Sequence, residues 1–304
     1  MSTTITTMET ETGHVSSFHN AKPRFFGLVG GELFKIRRQW ATWIMLVLLV
    51  GLITLPFLIE FTLGGDSLQT RINNGFLTSW VIDNLGLFRA FSGFMLLILT
   101  ARAVGQEYSQ GTIRLLLARG VGRMQLLLAK LTAVAVWAII FLAIDIALNF
   151  LYNLALLGIK VGNLNALNTL PADFWHNMGL YVLTIGLNML VTILLAAALS
   201  VIGRSLAFGM TASIAWFPID NIGVAIMFLA FELTTNQFWL NITAYFLGPN
   251  LNGLAKAIIG TGGSIGTTPA VAIDGTHAVV VALVYAAIFA IVAFTLTWKR
   301  DVKE

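Results

Sequence analysis

The chain of 304 residues is 57% hydrophobic and only 11% charged, with a mean hydropathy of +0.84. Soluble domains are roughly a quarter charged, so this composition excludes a soluble domain and predicts an all-α polytopic membrane protein. The net charge of +4 sits beside the apolar runs, which argues against nucleic acid as a partner, and the absence of cysteine excludes disulfides, thiol catalysis and thiolate metal sites.

Residues 1–24 begin MSTTITTMETETGHVSSFHNAK, rich in Thr, Ser and Glu with no apolar core, and read as a disordered cytoplasmic tail rather than a signal peptide. Residues 25–39 mix Phe25, Phe26, Leu28, Val29, Leu33, Phe34 and Ile36 with Glu32, Lys35, Arg37 and Arg38. That pattern predicts an amphipathic interfacial helix with its basic side toward anionic headgroups. A six-span transmembrane domain fills residues 40–302, with spans expected at 40–59, 85–104, 131–157, 178–203, 206–231 and 277–298, each reaching or exceeding the roughly 20 residues that cross the hydrocarbon.

The first span carries Trp40 and Trp43 at one interface and Pro56 near its far end. Residues 60–84 read as a polar loop. In the second span Arg89 and Arg102 bracket twelve uncharged residues, so the guanidiniums either snorkel to opposite interfaces or line a polar cavity. Asp145 falls near the middle of the third span, Asn188 inside the fourth, and Pro218 and Asp220 inside the fifth; only Gly203, Arg204 and Ser205 separate the fourth from the fifth. Residues 232–276 hold Asn241, Pro249, Asn250, Asn252 and Lys256, too polar and broken for a span, and predict re-entrant or interfacial helices between spans five and six.

Six spans put both termini on one side. With the tail inside, fourteen of the 18 lysines and arginines lie on that side, against Arg71, Arg89, Lys160 and Lys256 on the other. The bias predicts a multi-pass plasma-membrane protein with both termini cytoplasmic.

No lysine follows a glycine, so a phosphate loop ending Gly-Lys-Ser/Thr is absent, and the four histidines are scattered without a zincin pattern. Gly262, Gly263, Ser264, Ile265 and Gly266 match G-x-S-x-G, with Asp274 and His277 following. The surrounding composition reads as a flexible Gly/Ser loop rather than a hydrolase turn. Asp145 and Asp220, with Asn188, are candidates for a transport path, because a carboxylate at mid-bilayer costs about 2.5–3.5 kcal/mol and tends to be functional. They support an ion-coupled carrier as the alternative function; the structural reading is that each acid is satisfied inside the bundle by a neighbour such as Asn149, Asn188 or Asn221.

The stretch QEYSQGTIRLLLARGVGRMQLLLAK, residues 106–130, is basic and helix-patterned between spans two and three, with an interruption at Gly120 and Gly122, and must lie at the cytoplasmic face. Its order of Glu107, Gly111 and Thr112, the leucine run from Leu115 to Leu117, then Arg119, Arg123 and Lys130 resembles the signature of ABC-2-type permeases, the membrane subunits of ATP-binding-cassette exporters. The segment from Arg119 to Arg123 lacks that family's proline and serine. Trp298, Lys299, Arg300, Asp301 and Val302 directly after the last span fit the same pattern, so the resemblance covers most of residues 25–302, with its specificity in about 25 of them.

The resemblance implies an export permease that is not itself an enzyme, with ATP and Mg held by a separate ATPase subunit and two permeases paired in a two-plus-two assembly. A cytoplasmic coupling helix after span two would dock on the ATPase through Glu107, Gly111, Thr112, Arg114, Leu116, Leu117, Arg119 and Arg123. Its apolar residues would fill a cleft, with the charges at the rim. Gly111 costs about 1 kcal/mol within a helix, or else marks a bend ahead of the coupling helix.

Overall fold

A computed structural model describes residues 24–64, 76–112, 120–260 and 266–299. Residues 1–23 of the predicted tail, with Arg114, Leu116, Leu117, Arg119, Ser264 and Arg300, lie outside them. The described residues form nine α-helices and no strand. These are α1 (Phe25–Arg38), α2 (Trp40–Leu63), α3 (Phe76–Ser109), α4 (Arg123–Ala155), α5 (Phe174–Gly203), α6 (Leu206–Thr234), α7 (Phe238–Ile242), α8 (Leu247–Ile259) and α9 (Gly275–Lys299). Six of them (α2 to α6 and α9) are long and apolar enough to cross a membrane, the pattern of a multi-pass membrane protein.

Several helices outrun their expected spans. α3 begins at Phe76 and α4 at Arg123, where sequence predicted 85 and 131, and α5 begins at Phe174 rather than 178. Hydropathy detects only the apolar window, whereas backbone hydrogen bonding carries a helix on through polar residues. At 34 residues α3 is about 51 Å long, well beyond a hydrocarbon core of about 30 Å.

α3 and α5 are the centre of the bundle: two-thirds of the apolar window of each is buried, against 6% for α6. One apolar core gathers Met45 and Leu49 of α2, Leu85, Phe88 and Leu96 of α3, Phe141 of α4 and Tyr181 and Ile185 of α5. A second joins Leu97, Val191 and Leu195 to Leu247 and Leu251 of α8 and Ala282 and Phe289 of α9. Close approach is built in at Gly105, where a Cβ would meet Leu206 Cα at 2.9 Å. The Leu206 N–H donates 2.9 Å to Ser109 Oγ at the same contact, locking α3 to the α5–α6 turn.

α1 is a separate helix that turns sharply into α2. Its last turn carries Lys35, Arg37 and Arg38 against the negative end of the helix dipole. Its orphan carbonyls are met from α2: Thr42 Oγ1 donates to Ile36 O at 2.7 Å and Trp43 Nε1 to Arg37 O at 2.9 Å. α1 then packs on the start of α4.

Between α6 and α9 the chain turns back into the bundle. α7 packs along α6, and the buried α8 packs between α5, α6 and α9. Its start lies beside Asp220, fourteen residues or about 21 Å from the end of α6.

Candidate functional site

Two polar groupings stand out against the apolar cores. The first is at the basic end of the bundle, where α1, α3 and α4 meet on charge. Glu32, Glu107 and Lys130 are all buried. Lys130 Nζ lies 3.1 Å from Glu32 Oε2 and 2.8 Å from Glu107 Oε1, and donates 2.7 Å to the Ala103 carbonyl. These three partners use the three N–H bonds of an ammonium. Lys35 reaches the same two acids at 2.7 and 3.0 Å with its side chain half exposed. Two cations and two anions thus close a neutral cluster, which offsets a desolvation penalty of several kcal/mol per buried ion. Burial alone would lower the Lys35 pKa; the hydrogen bonds and charges of Glu32 and Glu107 outweigh it and raise it above the ordinary lysine value.

This arrangement revises the basic stretch. The interruption expected at Gly120 and Gly122 is present, and a second falls at Gly111: α3 ends at Ser109, Gly111 and Gly120 adopt φ of +67° and +79°, and α4 starts at Arg123 behind Gly122. Both angles fall in the left-handed region, which glycine enters without a Cβ penalty and where a regular right-handed helix cannot continue. Gly111 therefore marks a bend. Glu107 does not present its charge at an outer rim; it is buried, because Lys130 and Lys35 draw its carboxylate inward. Gly111 and Thr112 are exposed beyond the bend, and Arg123 is half-buried at the root of α4.

The second grouping lies deeper, between α3, α5, α6 and α8. Arg89, about 20 Å along α3 from Phe76, is 3% exposed. It does not snorkel. Its Nη1 donates to Leu251 O at 2.9 Å and its Nη2 to Asn252 O at 3.1 Å, so it lines a polar cavity, the second of the two fates expected for it. Asn188 Nδ2 donates to the Arg89 carbonyl at 3.2 Å. Asn221 Oδ1 accepts from the Thr267 N–H at 3.1 Å, and Asn252 Nδ2 donates to Thr267 O at 2.9 Å. The cavity these residues line has a volume of about 200 Å³. A separate apolar cavity of about 210 Å³ lies between α3, α4 and α5, with Asn149 and Asn153 in its wall.

Asp145 and Asp220 meet different partners and share no hydrogen bond. Asp145 is fully buried and accepts only from Asn149 of its own helix, at 3.1 Å, among the described residues. Asp220 Oδ2 accepts from the Gly248 N–H at 2.8 Å. The residue before α8, Phe246, offers no side-chain cap, so Asp220 supplies from another helix the acceptor that an N-terminus needs. Asp274 likewise caps α9 by accepting from the His277 N–H at 2.9 Å, while His277 Nε2 lies 2.9 Å from Ala244 O. Both residues therefore have structural partners rather than the geometry of a hydrolase triad. No group of three or more His, Asp or Glu among the described residues is placed to hold a metal.

The pairing of Glu32 with Lys130 was missed from sequence. The only local sign of the cluster is the Glu32 and Lys35 spacing of three, which puts them on one helix face; the partners 98 positions away carry no local signal.

No curated protein matches the chain. Residues 44–303, most of its length, match the family model described as "Protein of unknown function (DUF2705)". The chain belongs to the DUF2705 family.

Proposed function

We propose that the chain is the permease subunit of an ABC exporter, lying in the plasma membrane with its basic end cytoplasmic and taking its energy from a separate ATPase that holds ATP and Mg. The observation that carries this function is the four-charge cluster of Glu32, Lys35, Glu107 and Lys130 at the root of the α3–α4 connection. A coupling element needs an exposed docking part and a stiff joint to the membrane helices. Gly111 and Thr112 are exposed, and in α3, four residues before Gly111, Glu107 is bound to α4 through Lys130 and to α1 through Lys35 at once. A push on the connection would move three helices together.

The resemblance to ABC-2-type permeases supplies the partner. Arg114, Leu116, Leu117, Arg119 and Arg123 are the further residues proposed for docking. In the same scheme α1 lies in the membrane interface, and α7 and α8 form a re-entrant pair from the opposite side. Two such chains pair, and the apolar surface that α6 leaves uncovered, with Ile219, Ile222 and Leu229 exposed, faces lipid or the second copy. An ion-coupled carrier built on Asp145 and Asp220 draws less support, because Asp220 caps α8.

The test is affinity purification of the tagged chain from its native membrane. A stoichiometric nucleotide-binding ATPase should co-purify and be lost when Thr112 and Arg114 are replaced by alanine, with membrane insertion intact. Recovery of no ATPase, or transport that follows a proton gradient and stops with Asp145→Asn, refutes the proposal.

A further inference from the structure

We propose that the cavity between α3, α5, α6 and α8 binds an oxyanion, a carboxylate or phosphate group, on the Arg89 guanidinium. The two buried cations among the described residues are treated differently. Lys130 has two carboxylates within 3.1 Å. Arg89, as deeply buried, has none within ion-pair distance among the described residues, only the Leu251 and Asn252 carbonyls. Those carbonyls take two of the five N–H donors of a guanidinium and leave its charge without a counter-ion. An isolated buried ion carries a penalty of several kcal/mol, which a bound anion would offset.

The cavity wall selects the sign and shape of the ligand. Arg89 is the one charged residue lining it, and the other polar side chains there are the amides of Asn188, Asn221 and Asn252. Each of these amides donates an N–H to a backbone carbonyl, and Asn221 Oδ1 accepts from the Thr267 N–H, so none of them carries a charge to oppose an anion. A metal ion or ammonium would meet the guanidinium's charge unopposed. An oxyanion can take two parallel hydrogen bonds from its planar fork. Phe94 and Phe217 complete the wall and lower the local dielectric, which strengthens such a pair. About 200 Å³ is several times the roughly 30 Å³ share of one water, room for a small oxyanion. The site does not depend on whether the chain couples to an ATPase.

The same chemistry reaches the cavity from solution or on a lipid, and the probes separate the two. The full chain in a neutral maltoside detergent is titrated with acetate, with inorganic phosphate, with dihexanoyl phosphatidic acid, and with dihexanoyl glycerol as the uncharged control. Thermal unfolding and native mass spectrometry report binding. At least one oxyanion should give a saturable rise in Tm and a retained adduct, and the uncharged control neither. Response to phosphate or acetate identifies a free anion, and response to phosphatidic acid alone identifies a lipid headgroup.

Arg89→Gln should abolish the shift. Because that change also loosens α8, Gly93→Leu is the second arm. A Cβ at Gly93 meets nothing closer than Asn188 Nδ2 at 4.0 Å, so the added side chain fills the cavity and leaves Arg89 in place. It should weaken binding at least tenfold. No saturable response to any oxyanion, or a response unchanged by Gly93→Leu, overturns the proposal.

Discussion

Replacing Lys130 with methionine isolates the charge that joins α1, α3 and α4. The substitution keeps the length of the side chain and removes the ammonium, leaving Glu32 and Glu107 with Lys35 alone. The Lys130 side chain is 5% exposed and those of its two acids 6% and 10%, so solvent cannot replace what is lost. Removing one partner from a buried ion pair costs about 3–5 kcal/mol. Taking the low end, because Lys35 still neutralises part of the charge, the docking of α1 weakens by about 3 kcal/mol. At 1.4 kcal/mol per factor of ten, α1 amides should exchange with solvent roughly a hundredfold faster. Hydrogen exchange measured by mass spectrometry on the reconstituted chain reads this directly over residues 25–38. Lys35→Met is the control: half exposed, it belongs with surface pairs worth about 0–1 kcal/mol. Adding Glu107→Gln to Lys130→Met should recover part of the loss by removing one stranded charge. Equal effects of Lys35→Met and Lys130→Met, or unchanged exchange in α1, would refute the assignment of the cluster as the joint.

The Lys35 pKa is raised in the fold, so its contribution is fully present below the unfolded value of 10.5 and is lost as pH rises through the folded value. α1 exchange, corrected for intrinsic rates, should therefore show no Lys35-dependent change from neutral pH up to that value, with loosening only above it. Asp220→Leu removes the acceptor for Gly248 N–H and should destabilise the start of α8 by about 1 kcal/mol, seen as faster exchange there, whereas Asp220→Asn keeps an acceptor and should change little. Gly105→Ala forces a Cβ to 2.9 Å from Leu206 Cα and should cost about 1–3 kcal/mol by separating α3 from the α5–α6 turn, measured as a lower Tm.

Composition and hydropathy alone determined the class of this protein and the number of its long helices, because a bilayer-length apolar run has few other structural outcomes. They also placed the α5–α6 turn and the broken segment before α9. Helix ends were another matter: the starts of α3, α4 and α5 mix polar residues (Asp83 and Asn84, Arg123 and Gln125, His176 and Asn177) with apolar ones, which masks the helix in hydropathy while hydrogen bonding carries it through them. The sequence marked Arg89, Asp145 and Asp220 as charges that need an explanation and offered Asn149, the amide that Asp145 does meet, among the partners for the acids, but it named no partner for Arg89 and not the one Asp220 has. Tertiary structure decided that. Arg89 turns to the carbonyls of α8, 162 and 163 positions away, Asp220 caps the same helix, and Asp145 meets an amide one turn along its own helix. Glu107 reads in sequence as an outward charge on a basic helix, and the fold buries it on Lys130 because α1 brings Glu32 to the same point. Local pattern records which side chains are costly to bury; which partners make the burial tolerable depends on helices far apart in the chain, and only their packing supplies them.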